Sequence, residues 1–321
     1  MRRASCAGAV VSSRPTWRAT DRLSRASGSV ARPGLWYNGA MSYQSILVHV
    51  DDGERVVVRL GAAARLARGY DAELIGAYAV PARAIAPSVS AVLPDKVVQQ
   101  RVADMGEAQD AAEALFRAAA QRARVGAAEW RAPAGDAIPA LVDHARCTDL
   151  VVIGQRDSSE AHASFSEELA NALVLQSGRP VLVIPFAGAT ATIGTRALVT
   201  WNGTRESARA LADAMPLLAR AEHVQVLSIE TDDEDKATPS EMHRQERVLA
   251  WLRFHGIEAE SEHHRWPDAD VGASILSLAA DAGADLIVMG AYGHSRLQER
   301  VLGGVTRDVL DAMTVPVLMS H

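Results

Sequence analysis

Four glycines and a threonine near the C-terminus have the types and spacing to hold a phosphate. Gly290 and Gly293 follow the apolar run Leu286 to Met289, and Gly303, Gly304, Val305 and Thr306 come after an interval of nine residues. Residues without a Cβ let a ligand approach the main chain. A helix opening at Gly303 would aim its unpaired first amides, its positive dipole end and the Thr306 hydroxyl at an anion. His294, directly after Gly293, is a candidate for phosphate oxygens, and so is Arg307, whereas Arg296 and Arg300 read as a solvated helix face. Glycines also punctuate ordinary strand-to-helix loops. The chemistry expected is binding rather than catalysis, because the loop supplies mainly backbone amides and no positioned base accompanies it.

An internal repeat supplies the elements that must position this loop. Ile46 to Val50 followed by Asp51 matches Ala197 to Trp201 followed by Asn202, at an offset of 151 residues. Asp149 to Gly154 matches Asp285 to Gly290, and Pro180 to Val183 matches Pro316 to Met319, both at an offset of 136. The second copy is shorter by the difference, which falls at the Pro-, Ser- and Ala-rich stretch from Pro81 to Pro94. Each copy alternates strands and helices, which predicts an α/β fold: two tandem doubly wound, Rossmann-like, five-stranded parallel-sheet domains of strand order 3-2-1-4-5. In the second copy strands are expected at Ala197–Trp201, Val224–Ile229, Glu258–Glu262, Leu286–Met289 and Val315–Met319. Helices are expected near Arg205–Ala219, Ser240–Phe254, Gly272–Ala282 and Val305–Met313. Ligands of such sheets bind at the carboxyl ends of strands where the winding reverses. Asn202 and the Gly290 loop would then face each other across one crevice.

Composition bounds the alternatives. The 321 residues have room for two domains, with 48% apolar, 22% charged and 5% aromatic residues. Cys6 and Cys147 have no partner spacing, which argues against a disulfide framework or a cysteine metal site and suits a reducing cytoplasm. Residues 1–40 carry seven Arg and one acid, so the net charge of −6 leaves −12 on the rest, which disfavours nucleic acid as a partner. No apolar run is long enough to span a membrane. Residues 1–41 read as a disordered Arg- and Ser-rich extension or as a mis-called start upstream of Met41, and their composition is also that of a transit peptide. The expected domains are residues 42–188 and 194–321.

Together these residues resemble the universal stress protein family in its tandem form. The family's Gly-x2-Gly-x9-Gly-(Ser/Thr) nucleotide loop matches Gly290, Gly293 and Gly303 and departs at Gly304, which costs a hydroxyl donor. The resemblance implies a stress-response regulator that binds ATP, with Mg²⁺, at one site per chain. It carries Thr200, Asn202 and Ile229 over to the adenosine, Met289 beneath it, and Gly290, Gly293, Gly303, Gly304, Val305 and Thr306 to the phosphates. Asn202 stands where the family commonly has Asp, with an amide able to donate and accept. In the family the last strands pair between domains, which implies an intramolecular pseudo-dimer of the two copies and leaves a homodimer open.

The first copy keeps Gly154 but has Asp157, Glu167, Glu168 and Ala170 in place of Gly293, Gly303, Gly304 and Thr306. Carboxylates repel a triphosphate, and Arg156 is the one obvious counterweight, so this site is expected to be empty. Glu260, Glu262, His263 and His264 alternate across a strand and read as surface groups rather than metal ligands. The acidic run Asp232 to Asp235 reads as a solvated loop. His49 and His144 lack a nucleophile signature. No Walker-type or dinucleotide-type glycine motif is present. The leading expectation is therefore a nucleotide-binding regulator that is not an enzyme. The alternatives are a nucleotide-independent interaction scaffold and a slow ATP hydrolase.

Overall fold

The structure is a computed structural model that describes residues 42–81, 95–133, 135–156, 163–188, 191–230, 239–265, 270–292 and 304–321. Gly293, His294, Arg296, Arg300, Gly303, Asp157, the Asp232 to Asp235 run, most of the Pro81 to Pro94 stretch and residues 1–41 lie outside this description. The first copy contributes β1 (Ser45–Val50), β2 (Glu73–Tyr78), β3 (Ala128–Arg131), β4 (Leu150–Gly154) and β5 (Val181–Ile184). The second contributes β6 (Arg196–Thr200), β7 (His223–Glu230), β8 (Glu260–Arg265), β9 (Leu286–Gly290) and β10 (Val317–Ser320).

These strands form one sheet of order β3-β2-β1-β4-β5-β10-β9-β6-β7-β8, so each copy has the order 3-2-1-4-5. Neighbours are parallel within each copy, and β5 meets β10 antiparallel, with Leu182 opposite Leu318. The inner strands β1, β4, β5, β9 and β10 are nearly continuous apolar runs because both their faces are covered. The outermost strands, Ala-Glu-Trp-Arg and Glu-Ser-Glu-His-His-Arg, carry charge that blunts the sheet's edges. One face is covered by Val56–Tyr70, Asp95–Ala123, Arg205–Asp213, Met215–Leu218 and Pro239–Phe254, and the other by Ala137–Ala145, Ala163–Gln176, Val271–Asp281 and Gly304–Ala312. Residues of both copies belong to each core layer, so the copies share a hydrophobic interior.

Polar contacts reinforce the join on one side. The Tyr43 hydroxyl donates to the Asp213 carbonyl at 2.8 Å and the Tyr70 hydroxyl to that of Pro216 at 2.9 Å. The Arg220 guanidinium lies 3.8 Å from the Tyr70 ring centroid and donates to the Gly69 carbonyl at 2.7 Å. Burial raises the Tyr43 hydroxyl well above its usual pKa, so it remains a donor.

Three elements differ from expectation by more than one residue. The helix expected over Arg205–Ala219 is two, Arg205–Asp213 and Met215–Leu218, because Pro216 cannot supply an amide to a continuous helix. The strand expected at Glu258 begins at Glu260. Gly256 ends the preceding helix at φ 78°, and the Ile257 amide turns back to the Leu252 carbonyl at 3.0 Å. The last strand begins at Val317 rather than Val315, after Pro316, whose carbonyl accepts from the Ile287 amide at 2.9 Å.

Candidate functional site

In the second copy β6 lies beside β9, which brings Thr200 to the same sheet end as Gly290. The Thr200 hydroxyl donates to the Val288 carbonyl at 3.4 Å. Asn202 is exposed, and its Oδ1 accepts from the Thr204 amide at 3.2 Å and the Thr204 hydroxyl at 2.8 Å, with Gly203 between them at φ 74°. The turn therefore engages the carbonyl of the Asn202 amide and leaves its NH₂ to donate, a narrower role than the donor and acceptor expected of it. Thr204 caps the helix that follows, accepting from the Ser207 amide at 3.4 Å.

Gly290 has a structural reason to be glycine. A Cβ there would stand 2.5 Å from the Glu206 carbonyl carbon and the Ser207 nitrogen, so its bare Cα admits the first turn of the helix Arg205–Asp213. Packing alone thus accounts for a glycine at a position expected to be bare for a ligand. Beside it Glu206 is buried and paired with the Arg205 guanidinium. Met289 is buried in the core layer shared with the helices Val271–Asp281 and Gly304–Ala312, and Ile229 pairs in register with His264. Gly304, Val305 and Thr306 form the first turn of the helix Gly304–Ala312, with Gly304 exposed and Thr306 buried. Among the described residues the nearest atom to a Cβ at Gly304 would be Asp308 Oδ2 at 3.8 Å, an ordinary contact. Arg307 faces Asp311 one turn on, at 3.6 Å. Gly293, His294 and Gly303 are among the residues outside the description.

In the equivalent crevice of the first copy the Arg59 guanidinium covers Gly154, and His49, Asp51, Leu169 and Phe186 line the space that remains. Arg59 is 5% exposed, and its Nε donates to the His49 carbonyl at 2.8 Å while Nη2 donates to Asp51 Oδ1 at 2.8 Å. A Cβ at Gly154 would lie 2.4 Å from Arg59 Nη1, so this glycine makes room for a guanidinium. The Gly53 amide donates to Asp51 Oδ1 at 3.1 Å, the same turn that Asn202 makes with Thr204. Burial pushes the Asp51 carboxyl up, but Arg59, His49 and these hydrogen bonds outweigh it and hold it at about 2. Burial lowers the pKa of His49, whose Nε2 donates to the Ala79 carbonyl at 2.7 Å. Sequence reading missed Arg59. Its one signal is that the matching residue in the second copy is Ala210.

The profile of the universal stress protein family matches this chain twice, over residues 42–185 and 195–321. The chain belongs to the universal stress protein family. Universal stress protein MJ0577 of Methanocaldococcus jannaschii is 42% identical over 45 residues, which are 14% of this chain and 28% of that protein. Universal stress protein Rv2005c of Mycobacterium tuberculosis is 24% identical over 203 residues, 57% of this chain and 65% of that protein. The chain thus spans under two thirds of these curated relatives. Among crystal structures, a universal stress protein from Archaeoglobus fulgidus is similar in fold, with a TM-score of 0.66 at 16% identity, covering 86% of this chain and 98% of that one. PA1789 of Pseudomonas aeruginosa, of unknown function, has a TM-score of 0.56 at 16% identity, covering 88% and 94%. Among the described residues of this universal stress protein no helix is long and apolar enough to cross a membrane.

Two expectations test this geometry. Gly290→Ala drives a Cβ into backbone and should destabilise the protein by roughly 1–3 kcal/mol in chemical denaturation, with or without nucleotide. Gly154→Ala meets only the end of a side chain and should cost less; equal costs would contradict the distinction. Asp51 has a depressed pKa in the folded state, so its contribution is present above the unfolded value and is lost as pH falls through the folded one. Asp51→Asn should therefore destabilise by about 2 kcal/mol at neutral pH. The gap from wild type should close as pH falls from about 4 through about 2. A gap that is independent of pH would contradict the ion pair.

Proposed function

We propose that this chain is a regulatory protein that binds one adenine nucleotide, ATP with Mg²⁺, in its second copy and none in its first. The observation that carries the reading is the difference at one repeat position: in the first copy the buried Arg59 covers Gly154, and the second has Ala210 at that place. Two further features support it. The helix Gly304–Ala312 has Thr306 in its first turn, whose amides have no partner within the helix, at the end of the loop where phosphates would sit. The other feature is the exposed Asn202, whose NH₂ can donate to an adenine edge at the end of β6.

In this reading the first-turn amides and the Thr306 hydroxyl bind phosphate oxygens, Asn202 and Thr200 orient the base, and bound nucleotide changes the conformation or partners of the chain. Backbone amides hold a ground state, which fits a regulator better than a fast hydrolase. The antiparallel join of β5 and β10 supports an intramolecular pseudo-dimer, with the two copies in the places of two subunits. A nucleotide-independent scaffold is the competing reading.

Equilibrium binding of a labelled ATP analogue decides between them. One site per chain is expected, abolished by Gly293→Asp; two sites, or none, would contradict the proposal. Gly304→Ser restores a hydroxyl donor worth about 0.5–1.5 kcal/mol, so it should tighten binding by roughly two- to tenfold.

A further inference from the structure

Residues beside the first copy's altered loop grip the second copy's loop. Tyr292, between Gly290 and Gly293, is a non-glycine residue at φ 62°, a conformation that persists where the surroundings enforce it. Its hydroxyl donates to Oδ1 of Asn171, in the first copy's helix Ala163–Gln176, at 2.6 Å. Burial, with Glu167 nearby, raises the Tyr292 pKa, so the hydroxyl keeps its proton. The turn is also braced within its own copy. The Ala291 amide donates to the Ser320 carbonyl at 2.9 Å, and His321 Nδ1 lies 3.1 Å from the Ala291 carbonyl.

The first copy holds the far end of the helix Gly304–Ala312 as well. Gln155 Nε2 donates to the Leu310 carbonyl at 2.8 Å and that of Asp311 at 3.2 Å. Arg156 pairs with Glu167 at 2.6 Å and reaches Asp311 at 3.1 Å. At the repeat offset Arg156 stands in the place of Tyr292, Glu167 in that of Gly303 and Asn171 in that of Arg307. The groups that reach across the join are thus Gln155, Arg156 and Asn171, with Glu167 holding Arg156 from within the first copy.

We infer that Asn171 is a positioning residue for the second copy's nucleotide turn, acting through the Tyr292 hydroxyl, so that the first copy serves as the fixed support of the second copy's site. This rests on the reading that the turn binds nucleotide. Hydrogen exchange at the Ala291 and Tyr292 amides, measured without nucleotide, tests the positioning alone. Exchange should rise severalfold in Tyr292→Phe and in Asn171→Ala, no further in the double variant, and should return toward wild type in Asn171→Asp, which keeps an acceptor. Titration of the same proteins with ATP and Mg²⁺ should show an affinity loss of about fivefold in each single variant, the loss of one hydrogen bond. Unchanged exchange, or additive effects in the double variant, would overturn the inference. If wild type binds no ATP while exchange responds as expected, the positioning stands and the nucleotide reading alone falls.

Discussion

The antiparallel pairing of β5 with β10 is the constraint on which the rest depends. It joins two parallel sheets into one, removes an apolar edge from each copy and relates the copies by an approximate two-fold axis. The helix after each glycine turn is thereby set against the other copy, which is why Gln155 and Arg156 reach Asp311 and Tyr292 reaches Asn171. Without that join, Tyr43 and Tyr70 would also lose their carbonyl partners in the second copy.

Within this frame the same strand ends serve different purposes. Both copies make the same turn after the first strand, with Asp51 accepting from Gly53 and Asn202 from Thr204. In one copy the carboxylate also holds Arg59 inside the crevice; in the other a small alanine occupies the matching place. A buried ion pair is expensive to desolvate, and losing one partner leaves the other charge uncompensated. Arg59 and Asp51 therefore act as a unit.

Much of the fold was legible in the sequence because its signals are local. The apolar runs Ile46 to Val50 and Leu286 to Met289 mark strands buried on both faces, and the two repeat offsets align the copies. The site was legible only in part. Gly290 reads as a ligand position from spacing, yet its missing Cβ is required by Glu206 and Ser207, far away in sequence. Arg59 on a helix reads as a solvated cation until the fold turns it toward Asp51. Tyr292 and Asn171 are 121 residues apart, and no local pattern couples them.

The central claim is that nucleotide resides in the second copy, where Ala210 stands in the place of Arg59. Photo-crosslinking with an azido-adenine nucleotide, followed by peptide mapping, tests it most directly. Label confined to peptides from residues 196–230 and 286–312 is the predicted result. Label on peptides containing His49 to Arg59 or Gly154 to Phe186 would contradict the account.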